Sequence, residues 1–218
     1  MTWGTLSQKQ PDADQLEITL IGPGQGECCI AHLGSGRWII IDSCRNRQTR
    51  HPVALEYFEY ICAQANSVIL IIATHWHDDH ISGLADTLRA CTEAKFCCSS
   101  ALSSREFLAT VAPYKERLLF AGDSGVSELF EVLHELDESG RMPIMRAAPD
   151  RRVVQLAPSS LAHGYSCEIW TLSPSDAQID DFYLEIGKLV PKLRETKRRL
   201  PSQKTNLLSV VTLVARVN

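Results

Sequence analysis

Ile71-Ile72-Ala73-Thr74-His75-Trp76-His77-Asp78-Asp79-His80-Ile81-Ser82-Gly83 is the stretch that decides how this chain is read. An apolar, β-branched run empties into three histidines and two aspartates within six residues. Neutral imidazole and carboxylate are the ligands that zinc, iron(II) or manganese take from proteins. Crowding them on one turn is unfavourable unless a cation neutralises and orders them. His75 and His77, two apart in an extended turn, can aim at one ion. Asp79 and His80, adjacent at the start of the next helix, can serve a second. Two cations roughly 3.5–4 Å apart would clamp a bridging hydroxide and both oxygens of a displacement reaction.

Working outward, Leu16 to Ile21 alternates like a half-buried strand. Gly22-Pro23-Gly24-Gln25-Gly26 turns the chain, and Glu27 to His32 reads as a second strand. Gly34-Ser35-Gly36 is a hairpin signal leading into a buried strand, Trp38 to Ile41, that ends at Asp42. A helix is predicted over Pro52 to Ala65, with proline in its first turn. Val68 to Ala73 is the strand that delivers the histidines. Beyond them, His80 to Cys91 reads as a helix, Ala94 to Cys98 as a strand and Ser104 to Val111 as a helix. Ser124 caps a further helix running to about Leu136. Arg152 to Leu156 and Ser166 to Leu172 read as strands, Phe182 to Leu200 as a helical stretch interrupted by Pro191, and Leu208 to Val217 as a final strand. Hairpins mixed with intervening helices predict an α/β sandwich rather than a doubly wound sheet.

With 218 residues, 44% of them hydrophobic and 22% charged, the chain can bury one substantial core, so a single domain over residues 1–218 is expected. No apolar run approaches the ~20 residues of a membrane span, and the N-terminus lacks a basic stretch followed by an apolar one. A membrane partner is therefore not expected. The eight cysteines include the adjacent pairs Cys28-Cys29 and Cys97-Cys98 and no C-x-x-C. Neighbours on a strand point to opposite faces. Free, mostly buried thiols in a reducing cytoplasm are the expectation.

His75, His77, Asp79 and His80 form the pattern H-x-H-x-D-H. In this the chain resembles the metallo-β-lactamase-fold metallohydrolases, and the resemblance implies an αββα sandwich. Ile21 to Glu27, Leu172-Ser173-Pro174-Ser175 and Asn206 to Val211 also resemble the branch containing the hydrolase domain of bacterial DNA-uptake proteins. That branch implies nuclease activity. The resemblance implies that His75 and His77 hold a first ion, with His163 as the later histidine, and that Asp79 and His80 hold a second. Zinc is the expected ion, with Mn²⁺ or Fe²⁺ as alternatives, one or two per chain. Asp42 matches the aspartate that supports the ligands from behind. Asp79 and Asp42 are thus the candidate catalytic carboxylates.

The family pattern also contains a bridging aspartate, normally a Gly-Asp after a hairpin, and a last histidine. This sequence stops at Val217-Asn218, about where that Gly-Asp is expected, while Gly122-Asp123 falls too early. Three expectations follow: a fold incomplete in its C-terminal half, a further domain or partner chain that completes the shell, or metal binding without catalysis.

Arg45, Arg47 and Arg50 follow Asp42, and from Lys188 to Lys204 there are seven basic residues against one acid. Arginine forks suit phosphate oxygens. The resulting expectation is a metal-dependent hydrolase using a zinc-bound hydroxide on a phosphodiester, nucleic acid included. The alternatives are a non-catalytic metal-binding sensor or effector module, and a thioester or lactone hydrolase.

Overall fold

Period-two alternation sorts the apolar side chains onto two faces of each strand, and two sheets result. The computed structural model describes residues 3, 7–22, 24, 26–101, 124–141, 143–158, 162, 164–189 and 208–217. The first sheet has six strands in chain order: β1 (Glu17–Ile21), β2 (Cys28–His32), β3 (Trp38–Ile41), β4 (Val68–Ala73), β5 (Lys95–Ser99) and β6 (Met145–Ala147). β1 to β3 form antiparallel hairpins, and β3 to β6 run parallel. The second sheet is antiparallel, β7 (Arg151–Leu156), β8 (Ser166–Thr171) and β9 (Thr212–Val217).

The sheets face each other across Ile39, Leu70, Ile72 and Cys97 from the first and Val153, Cys167 and Ile169 from the second. The alternate residues Trp38, Ile40, Ile71 and Phe96 face away from that interface. There they meet helices α1 (Val53–Tyr60), α3 (Leu84–Ala90) and α4 (Ser124–Glu138), through Phe58, Leu88, Val132 and Leu136. Burying each such large apolar side chain stabilises the fold by roughly 1.5–3 kcal/mol. β4 has a parallel neighbour on each side and is covered on both faces, which is why it is apolar throughout. The α/β sandwich expected from the sequence is the architecture observed.

Local differences have local causes. The helix expected to reach Ala65 ends at Tyr60 because Cys62 turns left-handed, φ +54°. The Ala63 amide then donates to the Phe58 carbonyl and the Cys62 amide to the Glu59 carbonyl, a Schellman stop. The helix expected over His80 to Cys91 is two pieces, α2 (Asp78–Ile81) and α3, split at Gly83 with φ +83°. Side-chain atoms of Arg45 and Pro52 lie 3.1 and 3.2 Å from where a Cβ of Gly83 would stand. The helix expected from Phe182 begins earlier, as α5 (Asp176–Leu189). Its start is a capping box: the Gln178 amide donates to Ser175 Oγ and the Ser175 amide to Gln178 Oε1. Asp176, Asp180 and Asp181 are therefore on this helix. The short strand β6 had no sequence signal. The helix expected over 104–111, residues Gly122, Asp123 and His163, and the basic run beyond residue 189 lie outside the described residues. Among those described, no helix is long and apolar enough to cross a membrane.

Candidate metal centre

The centre is assembled where β3 and β4 end side by side. Parallel pairing sets Ile41 against Ile72, so the residues leaving the two strands, Asp42 and Thr74, meet. Asp42 leaves β3 with φ +60°, a left-handed conformation that aspartate tolerates better than most residues. Its amide donates to the Ile72 carbonyl at 2.8 Å, which fixes the turn. The next amide, Ser43, donates to the His80 carbonyl at 2.6 Å, and Ser43 pairs with Ile81 as a parallel bridge. The backbone thus carries His80 back over Asp42.

The Asp42 carboxylate, 4% exposed, accepts three hydrogen bonds. Thr74 donates its amide to Oδ1 at 2.7 Å and its hydroxyl to Oδ2 at 2.7 Å, and His80 Nδ1 lies 2.8 Å from Oδ2. These contacts settle two histidine tautomers. A carboxylate only accepts, so His80 carries its proton on Nδ1 and leaves Nε2 for a cation. A threonine hydroxyl has one proton, and Thr74 gives it to Asp42. His75 Nδ1, 2.8 Å from the same hydroxyl, must then be the donor, and its Nε2 also keeps a free lone pair. The two rings stand 4.0 Å apart.

Burial and the neighbouring His80 push the His75 pKa down to about 4, so its imidazole is neutral at physiological pH. The hydrogen bond with Asp42 has the opposite effect on His80 and raises its pKa, against the pull of burial. Cys44, beneath the same turn, is pushed up to about 12 by burial and by the charges of Glu27 and Asp42. It is an inert thiol.

His77 and Asp79 complete the cluster from the solvent side. Trp76, 7% exposed, anchors the loop between them and the strand by packing against Phe182 of α5, ring centroids 6.2 Å apart. The His77 ring stands 4.9 Å from that of His75, and Asp79 Oδ2 lies 3.8 Å from His80 Nε2. The Glu27 amide holds the Asp79 carbonyl at 3.0 Å. Gly26 makes that approach possible: at φ +88° a Cβ there would sit 2.6 Å from the Asp79 oxygen and 2.7 Å from Cys44 Cβ.

Two sets of groups result, Asp42 with His75 and His80, and His75 with His77 and Asp79, each with ligand atoms within 4.8 Å of one another. The donor chemistry fits a divalent cation: fixed imidazole lone pairs, carboxylate oxygens, and one neutral histidine shared by both sets. The structure therefore brings together five of the six residues singled out in the sequence, and His163 lies outside the described residues. The sequence reading missed Thr74, whose hydroxyl decides the His75 tautomer, and Gly26. A polar residue terminating a buried apolar strand was the available signal for Thr74.

A cavity of about 410 Å³ opens beside Asp78 and Asp79 and is lined also by Cys44, Arg45, Arg47 and Arg50. Among the other histidines, His32 is buried and accepts the Gly36 amide through Nε2 at 3.1 Å, whereas His51 and His134 are exposed.

No protein-family model and no curated protein matches this chain. The solved structures it is similar to include metallo-β-lactamases. One is the metallo-β-lactamase SMB-1 bound to 2-mercaptoethanesulfonate, with 14% identity, 76% of this chain and 60% of that one covered, and TM-score 0.41. Another is the chemotaxis sensor ODP in a peroxy diiron state, with 16% identity, 74% and 51% covered, and TM-score 0.40. A third is AidC, a dizinc quorum-quenching lactonase, with 14% identity, 68% and 52% covered, and TM-score 0.40. The chain spans about half the length of these structures. The chemistry of the centre rests on its own side chains.

Proposed function

We propose that this chain is a metal-dependent hydrolase acting on phosphodiesters, with zinc as the first-choice ion. The observation that carries the reading is the pair of tautomers set by Asp42 and Thr74, which leave the Nε2 lone pairs of His75 and His80, on rings 4.0 Å apart, for cations. His75 and His77 hold one cation, Asp79 and His80 hold or share a second, and Asp42 orients the histidines from behind. With one of its four lone-pair positions left open, Asp42 is a better organiser than ligand. When bound, the cation supplies Lewis acidity and brings the pKa of water down to about 7.

The chain's own groups do the rest. Asp79, its side chain 55% exposed, has carboxylate oxygens available to orient an attacking water and take its proton. The cavity places Arg47 and Arg50 beside Asp79, a setting suited to an anionic ester rather than a neutral one. A phosphodiester, in nucleic acid or a smaller molecule, is the substrate class in keeping with both features and with the resemblance to DNA-uptake hydrolase domains. All eight cysteines are free, and a reducing cytoplasm is the compartment that keeps them so.

The test is hydrolysis of bis(4-nitrophenyl) phosphate and of single-stranded DNA with added Zn²⁺ or Mn²⁺. The expected result is turnover abolished by chelation and lowered about 100-fold or more by Asp79→Asn, the scale of a lost acid–base group. A metal-loaded chain inert on both substrates would return the reading to a non-catalytic metal-binding module.

A further inference from the structure

The three arginines of the 42–51 loop are not equivalent. Arg45 is a structural staple: its guanidinium donates to Asp86 Oδ2 at 2.7 Å and to the Arg50 carbonyl at 3.0 Å, and its stem packs on Gly83. Asp86 in turn pairs with Arg89, and Arg89 with Glu135 of α4. Burial would raise the Asp86 carboxyl, but the Arg45 and Arg89 hydrogen bonds and charges outweigh it and hold it below the usual range. Arg45 is therefore neutralised and its fork is occupied.

Arg47 and Arg50 differ in each respect. Both are exposed, both line the cavity beside Asp78 and Asp79, and neither guanidinium has a carboxylate partner among the described residues. Their backbone is nonetheless fixed. The Arg50 amide donates to the Asn46 carbonyl at 2.8 Å, and Arg50 holds φ +63°. Asn46, 3% exposed, is itself tied to Glu56 of α1 at 2.7 Å. The Arg47 guanidinium lies against Gly24, 3.2 Å from where a Cβ there would stand. These are two donor forks with no carboxylate partner among the described residues, mounted on a braced loop.

The charges of the cavity decide when those forks can act. With Arg45 offset by Asp86, Arg47 and Arg50 face Asp78 and Asp79, two charges against two. Glu27, 3.8 Å from His80, adds a further carboxylate at this end. An anion entering the metal-free cavity meets no net attraction. A divalent cation on Asp79 tips the same cavity positive.

We infer that Arg47 and Arg50 form an anion subsite for a second phosphate group of the substrate, next to the one attacked, and that this subsite is switched on by the metal. The inference rests on the metal-centre reading and deepens it. It makes the preferred substrate one that carries at least two phosphates, and makes the two arginines specificity-determining residues. Cavity volumes of ~300–1,000 Å³ are typical of small-ligand sites, and about 410 Å³ has room for a phosphate with part of what it is attached to.

The test is calorimetric titration of inorganic phosphate into the Zn²⁺-loaded and the chelator-treated chain. The loaded chain is expected to bind phosphate about tenfold or more tighter, and the Arg47→Ala/Arg50→Ala variant to lose about tenfold, as for charge-assisted hydrogen bonds. Its Zn²⁺ affinity should stay within about twofold. Arg47→Lys, which keeps the charge and loses the fork, should recover part of the affinity, and Arg151→Ala, on β7, should change nothing. In kinetics the double variant should raise KM for a thymidine trinucleotide about tenfold with little change in kcat. A trinucleotide without terminal phosphates and a dinucleotide with one separate an internal from a terminal phosphate, and tighter binding of either supports the subsite. Zn²⁺ uptake with phosphate affinity indifferent to both arginines overturns the subsite alone. Absence of Zn²⁺ uptake overturns the metal reading beneath it.

Discussion

Asp42 and Asp79 are carboxylates of one centre, built in opposite ways. Asp42 is 4% exposed and accepts three hydrogen bonds, from a strand-end amide, a threonine hydroxyl and an imidazole. The Asp79 side chain is 55% exposed, and what is fixed is its backbone, through Glu27 and the Gly26 approach. The buried half is organised by the fold before any ion arrives, because the pairing of β3 with β4 sets it. The solvent half offers its oxygens to whatever enters. Structural need and chemical availability have been divided between two aspartates.

The comparison breaks most sharply at Asp42. Asp42→Asn keeps the shape and the tolerance of a left-handed turn but removes the charge and turns the oxygen facing the Thr74 hydroxyl and His80 Nδ1 into an NH₂ donor, which reverses both hydrogen bonds and moves the His80 proton to Nε2. Zn²⁺ affinity, read by calorimetry, should fall by about 10–100-fold, and urea unfolding should show a loss on the order of 3 kcal/mol, as for breaking a buried charge pair. The same change at Asp79 should leave unfolding within about 0.5 kcal/mol, as exposed positions do. Equal stability losses at the two sites would erase the distinction.

Gly26→Ala comes next. Its Cβ meets backbone and a buried cysteine, neither of which can swing away, so a cost of about 1–3 kcal/mol is expected from overpacking. The readout is thermal unfolding together with Zn²⁺ affinity, since the carbonyl displaced belongs to Asp79. Thr74→Val should cost about 1–3 kcal/mol by leaving Asp42 and His75 each short of a partner. Thr74→Ser, which restores the hydroxyl, should recover most of that loss, a rescue that packing alone does not predict.

The smallest effect sharpens the contrast between the two buried histidines in the metal-free chain. His80 is raised above 6.5 in the folded state, so its contribution to stability is fully present below pH 6.5 and fades as pH rises through the raised value. His75 is lowered to about 4, so its contribution is present above pH 6.5 and is lost as pH falls toward 4. Between pH 7 and 5, His75→Gln should therefore blunt the acid sensitivity seen in urea melts, and His80→Gln should sharpen it. Parallel shifts in both variants would contradict the assigned environments.

Much of this was legible in the chain. The continuous apolar run Val68–Ala73 announced a strand, and the spacing of His75, His77, Asp79 and His80 announced the cluster. Asp42 came from the resemblance, as the aspartate on which the strand Trp38–Ile41 ends. What escaped depends on contacts distant in sequence. Nothing near Gly26 foretells that Asp79 packs on it, and nothing in Arg45-Asn46-Arg47 foretells that one arginine is stapled to Asp86 while the other has no carboxylate partner among the described residues. Gly83 splits a helix because Arg45 and Pro52 fill the space beside it, a tertiary fact. The early start of α5 is the exception, since the Ser175-Asp176-Ala177-Gln178 capping box stood in the sequence unread.

The central claim is that a braced histidine cluster at the end of β4 holds a metal ion. Metal analysis of the purified chain, followed by Zn²⁺ titration of the wild type and of His75→Ala/His77→Ala, tests it most directly. The account predicts at least one tightly bound ion per chain and loss of that ion in the double variant with the fold retained. A chain that carries no metal, takes up none on titration, and is indifferent to removal of both histidines would contradict it.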